Sequence, residues 1–160
     1  MTKTRFTVEI KQSGGIDKDF LKSIQKKAVK IGFLDGKSTN YPNGESVVKV
    51  AMQNEFGFIN EDGAKVPARP FFKLAWNKNE SKYKRVLSSF VNNVVIKRAV
   101  TSDEFFGRLG VKVQKDIRKE IRDLREPPNA PYTIAKKGSD NPLIDTKHML
   151  NSVAWELVDG

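Results

Sequence analysis

Two long stretches of the chain carry apolar side chains at the spacing of an amphipathic helix, and they constrain the fold more than any other feature. The first begins at Pro70, a residue that suits the first position of a helix. The second opens at Thr101 and Glu104, which we predict as a capping box, and it runs to Arg125, where two prolines stop it. The predicted buried residues are Phe72, Trp76, Tyr83, Leu87, Phe90 and Val94 in the first stretch and Phe106, Leu109, Val113, Ile117, Ile121 and Leu124 in the second.

Short segments of alternating polar and apolar residues predict the strands that these helices would cover. A shorter helix is expected between Ser46 as its N-cap and Gly57 as its end, and Asp62-Gly63 marks a turn. Strands are predicted at residues 6–10, 29–33 and 153–158, helices at 16–28 and 46–57, and an extended arm or hairpin at 58–70.

These elements predict an α+β protein with a small, mostly antiparallel sheet and the two long amphipathic helices packed across one face, together with shorter helices and extended loops. A length of 160 residues with 38% hydrophobic content suits one core of moderate size. We therefore expect a single domain over residues 1–160, with protruding loops near 37–45, 57–69 and 127–141.

Positive charge is concentrated in one part of the sequence. The formal net charge is +10, and between residues 70 and 98 seven Lys or Arg residues face one acid, Glu80. Lys78, Lys82 and Arg85 lie opposite the apolar stripe of the first long helix. Two interpretations stay open: an anionic partner such as nucleic acid, and the solvated face of an ordinary basic protein.

The composition argues against several kinds of site. The chain has no cysteine, which removes disulfides and thiolate metal ligands. A single histidine and the absence of a calcium-loop pattern favour no metal site, and no cofactor is expected. No stretch approaches the roughly 18 to 20 apolar residues of a membrane span or contains a secretory signal, so we expect assembly in a cytoplasm without membrane contact.

Residues 127–150 hold the groups most suggestive of chemistry. Asp145 and His148 could form an acid/base pair, but Asp145 or Thr146 also stands where the N-cap of a short helix belongs, and we favour the cap. Lys136 and Lys137 next to Gly138 could grip a phosphate, yet the spacing of a phosphate-binding loop is missing, which favours a turn between two extended pieces.

Three stretches, in this order, resemble the tail-completion or head-to-tail joining proteins of long-tailed bacteriophages. They are VAMQNEFG (50–57), VPARPFF (66–72) and TIAKKGSDNPLIDTKHMLNSVAWELV (133–158), and the resemblance covers most of the chain from about residue 29. It implies a small sheet crossed by long helices and a structural protein of the virion neck, without catalysis. Its expected partners are copies of itself in an oligomeric ring, a head-side connector or head-closure protein, a tail terminator or tail-tube protein, and non-specifically bound DNA in the lumen.

One position departs from the resemblance. Family members usually show Gly after the Asp-Thr pair, whereas Lys147 stands there in this chain. We expect that the backbone at Lys147 needs no positive φ, or that the turn differs locally.

The resemblance also gives the polar connections a role, because a ring subunit must reach its neighbours. Extended arms order readily on assembly, so we predict the main contacts in 56–71 and 127–141. DNA in the lumen would meet Lys78, Lys82 and Arg85. The subunit or partner contacts predicted are Phe56, Phe58, Arg69, Tyr132, Lys136, Lys137 and Asp140.

Two other functions stay open. One is a basic DNA-binding accessory protein without sequence specificity. The other is a small phosphodiesterase or nuclease that would use Asp145 and His148.

Overall fold

The computed structural model describes residues 22, 26–38, 40–90 and 100–159. The predicted strand at 6–10 and most of the predicted helix at 16–28 lie outside these residues. In chain order the elements are β1 (Lys27–Gly32), α1 (Val47–Phe56), β2 (Phe58–Ile59), β3 (Lys65–Val66), α2 (Phe71–Phe90), α3 (Ser102–Asp123), α4 (Pro131–Lys137), α5 (His148–Ser152) and β4 (Ala154–Asp159).

The main sheet pairs one strand from each end of the described chain. β1 and β4 are antiparallel, with Lys27 opposite Asp159 and Gly32 opposite Ala154. The strands predicted at 29–33 and 153–158 are confirmed with small shifts of their bounds. The prediction that Ala28 ends a helix is wrong, because Ala28 lies in β1 and pairs with Val158 of β4. Strands β2 and β3 form a separate antiparallel hairpin. The predicted α+β class is confirmed.

The two long helices form successive layers. Helix α3 contacts both β1 and β4, and α2 packs against α3. The hydroxyl of Tyr83 in α2 donates to Asp116 Oδ2 in α3 at 3.0 Å, and the rings of Phe90 and Phe105 lie 4.8 Å apart. The predicted core positions Val113, Ile117, Ile121 and Leu124 are all buried.

The first turns of α2 bury different residues from those predicted. Phe71 and Ala75 are buried in α2, while Phe72 and Trp76 are half-buried. The ring of Phe71 packs edge-on against Phe33, just after β1. The apolar stripe is therefore displaced by one residue in the first turns of α2, because the position of Phe33 decides which side chain faces inward.

Gly110 lets α3 lie close to the sheet. A Cβ atom at this position would stand 2.6 Å from the Trp155 indole, whereas one at Gly107 would stand 3.5 Å from the edge of the same ring. The first distance is a clash and the second an ordinary contact. The indole therefore fills the space that a side chain at Gly110 would need.

Both ends of α1 follow the sequence prediction. The Ser46 side chain accepts from Lys49 N at 3.4 Å, as an N-cap does. Gly57 ends the helix with φ 73°, and a Cβ there would lie 2.8 Å from the Val66 carbonyl oxygen. Only glycine fits this place, because the hairpin returns directly over it.

Residues 127–141 differ from the extended loop predicted for them. They contain α4, which begins with Pro131 at its first position and ends at Gly138 in the left-handed conformation. A third proline, which follows the two that mark the end of α3, thus starts a new helix. Asn129 and Asn141 are buried, so only part of this segment is exposed as predicted.

Candidate functional site

Arg69 forms a buried clamp between two distant parts of the chain. Its Nε donates to the Pro127 carbonyl at 2.8 Å, and one terminal nitrogen donates to the Pro128 carbonyl at 2.9 Å and to Asn129 Oδ1 at 3.3 Å. Burial lowers the pKa of the guanidinium, which nevertheless keeps its charge at neutral pH. The prediction of Arg69 as a subunit contact is wrong, because the side chain is only 5% exposed and bonded within its own chain.

Asn141 holds the next part of the same network. Its Oδ1 accepts from Leu143 N at 3.1 Å and from Ile144 N at 3.2 Å, while its Nδ2 donates to the Arg122 carbonyl at 2.9 Å. Its own carbonyl accepts from Asn129 Nδ2 at 3.4 Å. Sequence reasoning missed this role, although an Asn immediately before a proline is a recognised signal for such a turn.

The end of α1 is tied to the start of α2. Arg69 N donates to the Asn54 carbonyl at 2.6 Å. The Glu55 carboxylate accepts from Phe72 N at 2.9 Å and Lys73 N at 3.0 Å, which satisfies two free donors at the N-terminus of α2. Burial raises the pKa of Glu55, and these two bonds oppose that rise. We call the network formed by Asn54, Glu55, Arg69, Asn129 and Asn141 the motif junction.

The N-cap of α5 is Lys147, which has φ 63° and ψ 8° in the left-handed region. The expectation that no positive φ is needed here is wrong. Asp145 makes no cap bond to α5, and Thr146 Oγ1 accepts from His148 N only at 3.4 Å, so neither is the N-cap that we predicted. The backbone thus keeps the conformation that a glycine would suit best, although a lysine occupies it.

Lys147→Gly is expected to raise the free energy of unfolding by about 0.5 to 1 kcal/mol. A left-handed residue with a Cβ costs about 1 to 2 kcal/mol, and the greater freedom of glycine in the unfolded chain removes part of the gain. Urea denaturation followed by circular dichroism measures the change. The control is Lys115→Gly, at an exposed position in the middle of α3, which should instead lower the free energy of unfolding by about 1 kcal/mol. A loss of stability in Lys147→Gly would contradict the left-handed assignment.

Asp145 and His148, the candidate acid/base pair, line a cleft of about 280 Å³. The rings of Tyr41 and His148 lie 4.4 Å apart in it, and Lys137 also lines it. Burial, and then the charges of Glu45 and Asp145, raise the pKa of Tyr41. The phenol therefore stays neutral at physiological pH, which is the opposite of what a tyrosine nucleophile requires.

Lys137 is not available as a free phosphate ligand. Its Nζ donates to the Asn141 carbonyl at 3.0 Å and to the Pro142 carbonyl at 3.5 Å. Burial lowers its pKa, partly offset by the charge of Asp145. The pair Lys136 and Lys137 lies at the end of α4, so the predicted turn between extended pieces is a helix end, closed by Gly138.

The remaining predicted contact residues differ in exposure. Phe56 is 67% and Tyr132 76% exposed. Lys136 and Asp140 are also exposed, whereas Phe58 is half-buried. Sequence reasoning missed two further exposed apolar side chains that lie within four residues of Phe56 along the chain. These are Met52, one helical turn before it in α1, and Ile59 in β2, at 51% and 71% exposed. We call Met52, Phe56 and Ile59 the apolar patch.

The three basic candidates in α2 have separate environments. Lys78 Nζ donates to both carboxylate oxygens of buried Glu120, at 2.6 and 2.8 Å. Lys82 and Arg85 are exposed. Lys78 is thus paired with a carboxylate of α3, whereas Lys82 and Arg85 face solvent.

Three further findings bear on the site. Within the described ranges no group of three or more metal-binding side chains is present, and none of the described helices has the length and apolar character needed to cross a membrane. Comparison of the chain with models of known protein families, with curated proteins and with solved structures gave no match.

Proposed function

We propose that the protein is a structural component of the bacteriophage neck, where copies of it form part of a ring that joins the head connector to the tail. The observation that carries this proposal is the motif junction. Residues from the first two stretches that resemble tail-completion proteins bond directly to each other there, and Arg69 is linked through Asn129 to Asn141 in the third.

The polar groups of these stretches are used to hold the fold rather than presented to a substrate. The Arg69 guanidinium, the Glu55 carboxylate and the Asn141 amide all bond to backbone groups. Networks of this kind fix the relative positions of helices, which suits a subunit that must keep its conformation within an assembled ring. A structural role therefore accounts for them more fully than a catalytic one.

The apolar patch gives the proposed subunit a contact surface. Its three side chains lie at the end of α1 and on the adjoining hairpin, each more than half exposed. Burying three large apolar side chains against a partner would contribute on the order of 1.5 to 3 kcal/mol each before the costs of association. We propose that this patch contacts a neighbouring subunit or the tail-side partner.

Phe56→Ser with Ile59→Ser is expected to prevent head–tail joining while leaving the fold intact. Both side chains are exposed, so the free energy of unfolding should change by only about 0.5 kcal/mol. Electron microscopy of lysates from a phage carrying this variant should show filled heads and free tails. Val111→Ser removes an exposed apolar side chain elsewhere, on α3, and should give joined virions.

Deletion of the reading frame separates the proposed function from the proposed surface. Unjoined heads and tails are expected, and purified wild-type protein added to the lysate should join them. Joined, infectious virions without the protein would overturn the neck assignment and favour the DNA-binding alternative. Normal joining by the double serine variant alone would overturn only the role of the patch.

A further inference from the structure

Positive charges of α2 and α3 come close together where these two helices pack against each other. Lys82 of α2 precedes Tyr83, whose hydroxyl donates to Asp116 Oδ2 of α3 at 3.0 Å. Lys112 and Lys115 lie four residues and one residue before Asp116, and the charges of Lys82 and Lys115 both act on Lys112. Arg85 follows Lys82 by three residues, so the two lie on neighbouring positions of the same helix surface. Lys82, Arg85 and Lys115 are exposed. We call these four residues the cationic cluster.

Four other cations of these helices are each paired with a carboxylate of α2 or α3. Pairs join Lys78 to Glu120 at 2.6 Å, Lys84 to Glu80 at 2.9 Å, Arg108 to Glu104 at 3.5 Å, and Lys119 to Asp123. Among the described residues, no carboxylate lies within 4.0 Å of a charged nitrogen of the cationic cluster.

The nearest acid does not neutralise the cluster. Asp116 attracts Lys112 and also accepts the hydroxyl of Tyr83 at 3.0 Å, but its one negative charge offsets only one of the four positive charges. The proximity of Lys82 lowers the pKa of Lys112, as repulsion between two ammonium groups does. An external anion placed between the two helices would relieve this repulsion.

We propose that Lys82, Arg85, Lys112 and Lys115 bind the phosphates of duplex DNA without reading its sequence. Several cations on two adjacent helices suit a polyanion, and DNA carries one charge per about 1.7 Å of its axis. Tyr83 and Phe90 of α2 are buried, so these rings offer no platform for stacking on bases. The site replaces Lys78 of the predicted lumen set with Lys112 and Lys115.

As a contact to DNA passing through the neck, this inference rests on the proposed function. The test uses the isolated protein, so loss of DNA binding and failure of head–tail joining are separate outcomes. Four contacts are few compared with those of proteins that grip DNA tightly, which suits a surface past which DNA must move.

The experiment measures binding of a fluorescent duplex by anisotropy over a range of salt concentrations. Replacing Lys82, Lys112 and Lys115 with Gln should weaken binding and reduce the slope of log affinity against log salt by about 2 to 3. The matched control replaces exposed Lys26, Lys49 and Lys65 with Gln, which removes the same charge elsewhere and should leave most of the slope.

A further variant with Arg at the three cluster positions keeps the charge and should retain binding. Circular dichroism checks that each variant is folded. An equal loss of slope in the cluster and control variants would overturn the proposal, since it would mean attraction to net charge alone. Binding to phosphatidylserine vesicles or to polyglutamate in place of DNA would overturn the choice of partner.

Discussion

Replacing Arg69 with Ala is expected to lower the free energy of unfolding by about 3 kcal/mol. The variant loses two charge-assisted hydrogen bonds, to the carbonyls of Pro127 and Pro128, each contributing about 1.5 to 3 kcal/mol, and water can replace part of that. Asn129 would also lose one of its partners in the buried network. Urea denaturation gives the difference in free energy.

Arg69→Lys is the matched control for this variant. It keeps the charge and most of the stem, but an ammonium group cannot reproduce the planar set of donors that reaches two successive carbonyls. We expect a loss intermediate between wild type and Arg69→Ala. A loss below about 1 kcal/mol in Arg69→Ala would show that the clamp does not hold these segments together.

Gly110→Ala is expected to destabilise the protein by about 2 kcal/mol, although alanine favours helices. The new methyl group would stand 2.6 Å from the Trp155 indole, so the ring or the helix must move, and such overpacking costs about 1 to 3 kcal/mol. The near-ultraviolet circular dichroism of Trp155 should change with it. Thermal or urea unfolding measures the stability.

Gly107→Ala tests the same substitution one turn earlier in α3. Its methyl group would make an ordinary contact with the edge of Trp155 at 3.5 Å. Because alanine favours a helix more than glycine does, the free energy of unfolding should rise by up to about 1 kcal/mol. The two substitutions should therefore change the free energy of unfolding in opposite directions, and the two variants should differ by about 3 kcal/mol. Equal effects would contradict the packing of Trp155 over Gly110.

The sequence predicted the local elements of the described chain well, because their signals are local. A capping box at Thr101 and Glu104 is present, with Thr101 Oγ1 accepting from Glu104 N at 3.2 Å. Ser46 and Gly57 bound α1 as expected, and the Asp62-Gly63 turn closes the hairpin. Each of these features depends on interactions between residues only a few positions apart.

The segment 127–150 was predicted less well, since its conformation depends on distant partners. Its prolines and polar residues indicated an extended loop, but Arg69 and Arg122 bind it from elsewhere in the chain, and α4 forms within it. The same holds for Lys147, because a positive φ is uncommon for a lysine and the residue type does not indicate it. Local preferences were overridden there by contacts across the fold.

What the sequence determined alone was most of the helices and strands of the described residues, the concentration of positive charge, and the resemblance that motivates the neck proposal. Only the tertiary structure decided which charged groups are used internally. It buried Arg69, paired Lys78 with Glu120, and brought Lys82 beside Lys112. Helical periodicity fixes the face on which a side chain lies, but the partner opposite that face depends on how the helices pack.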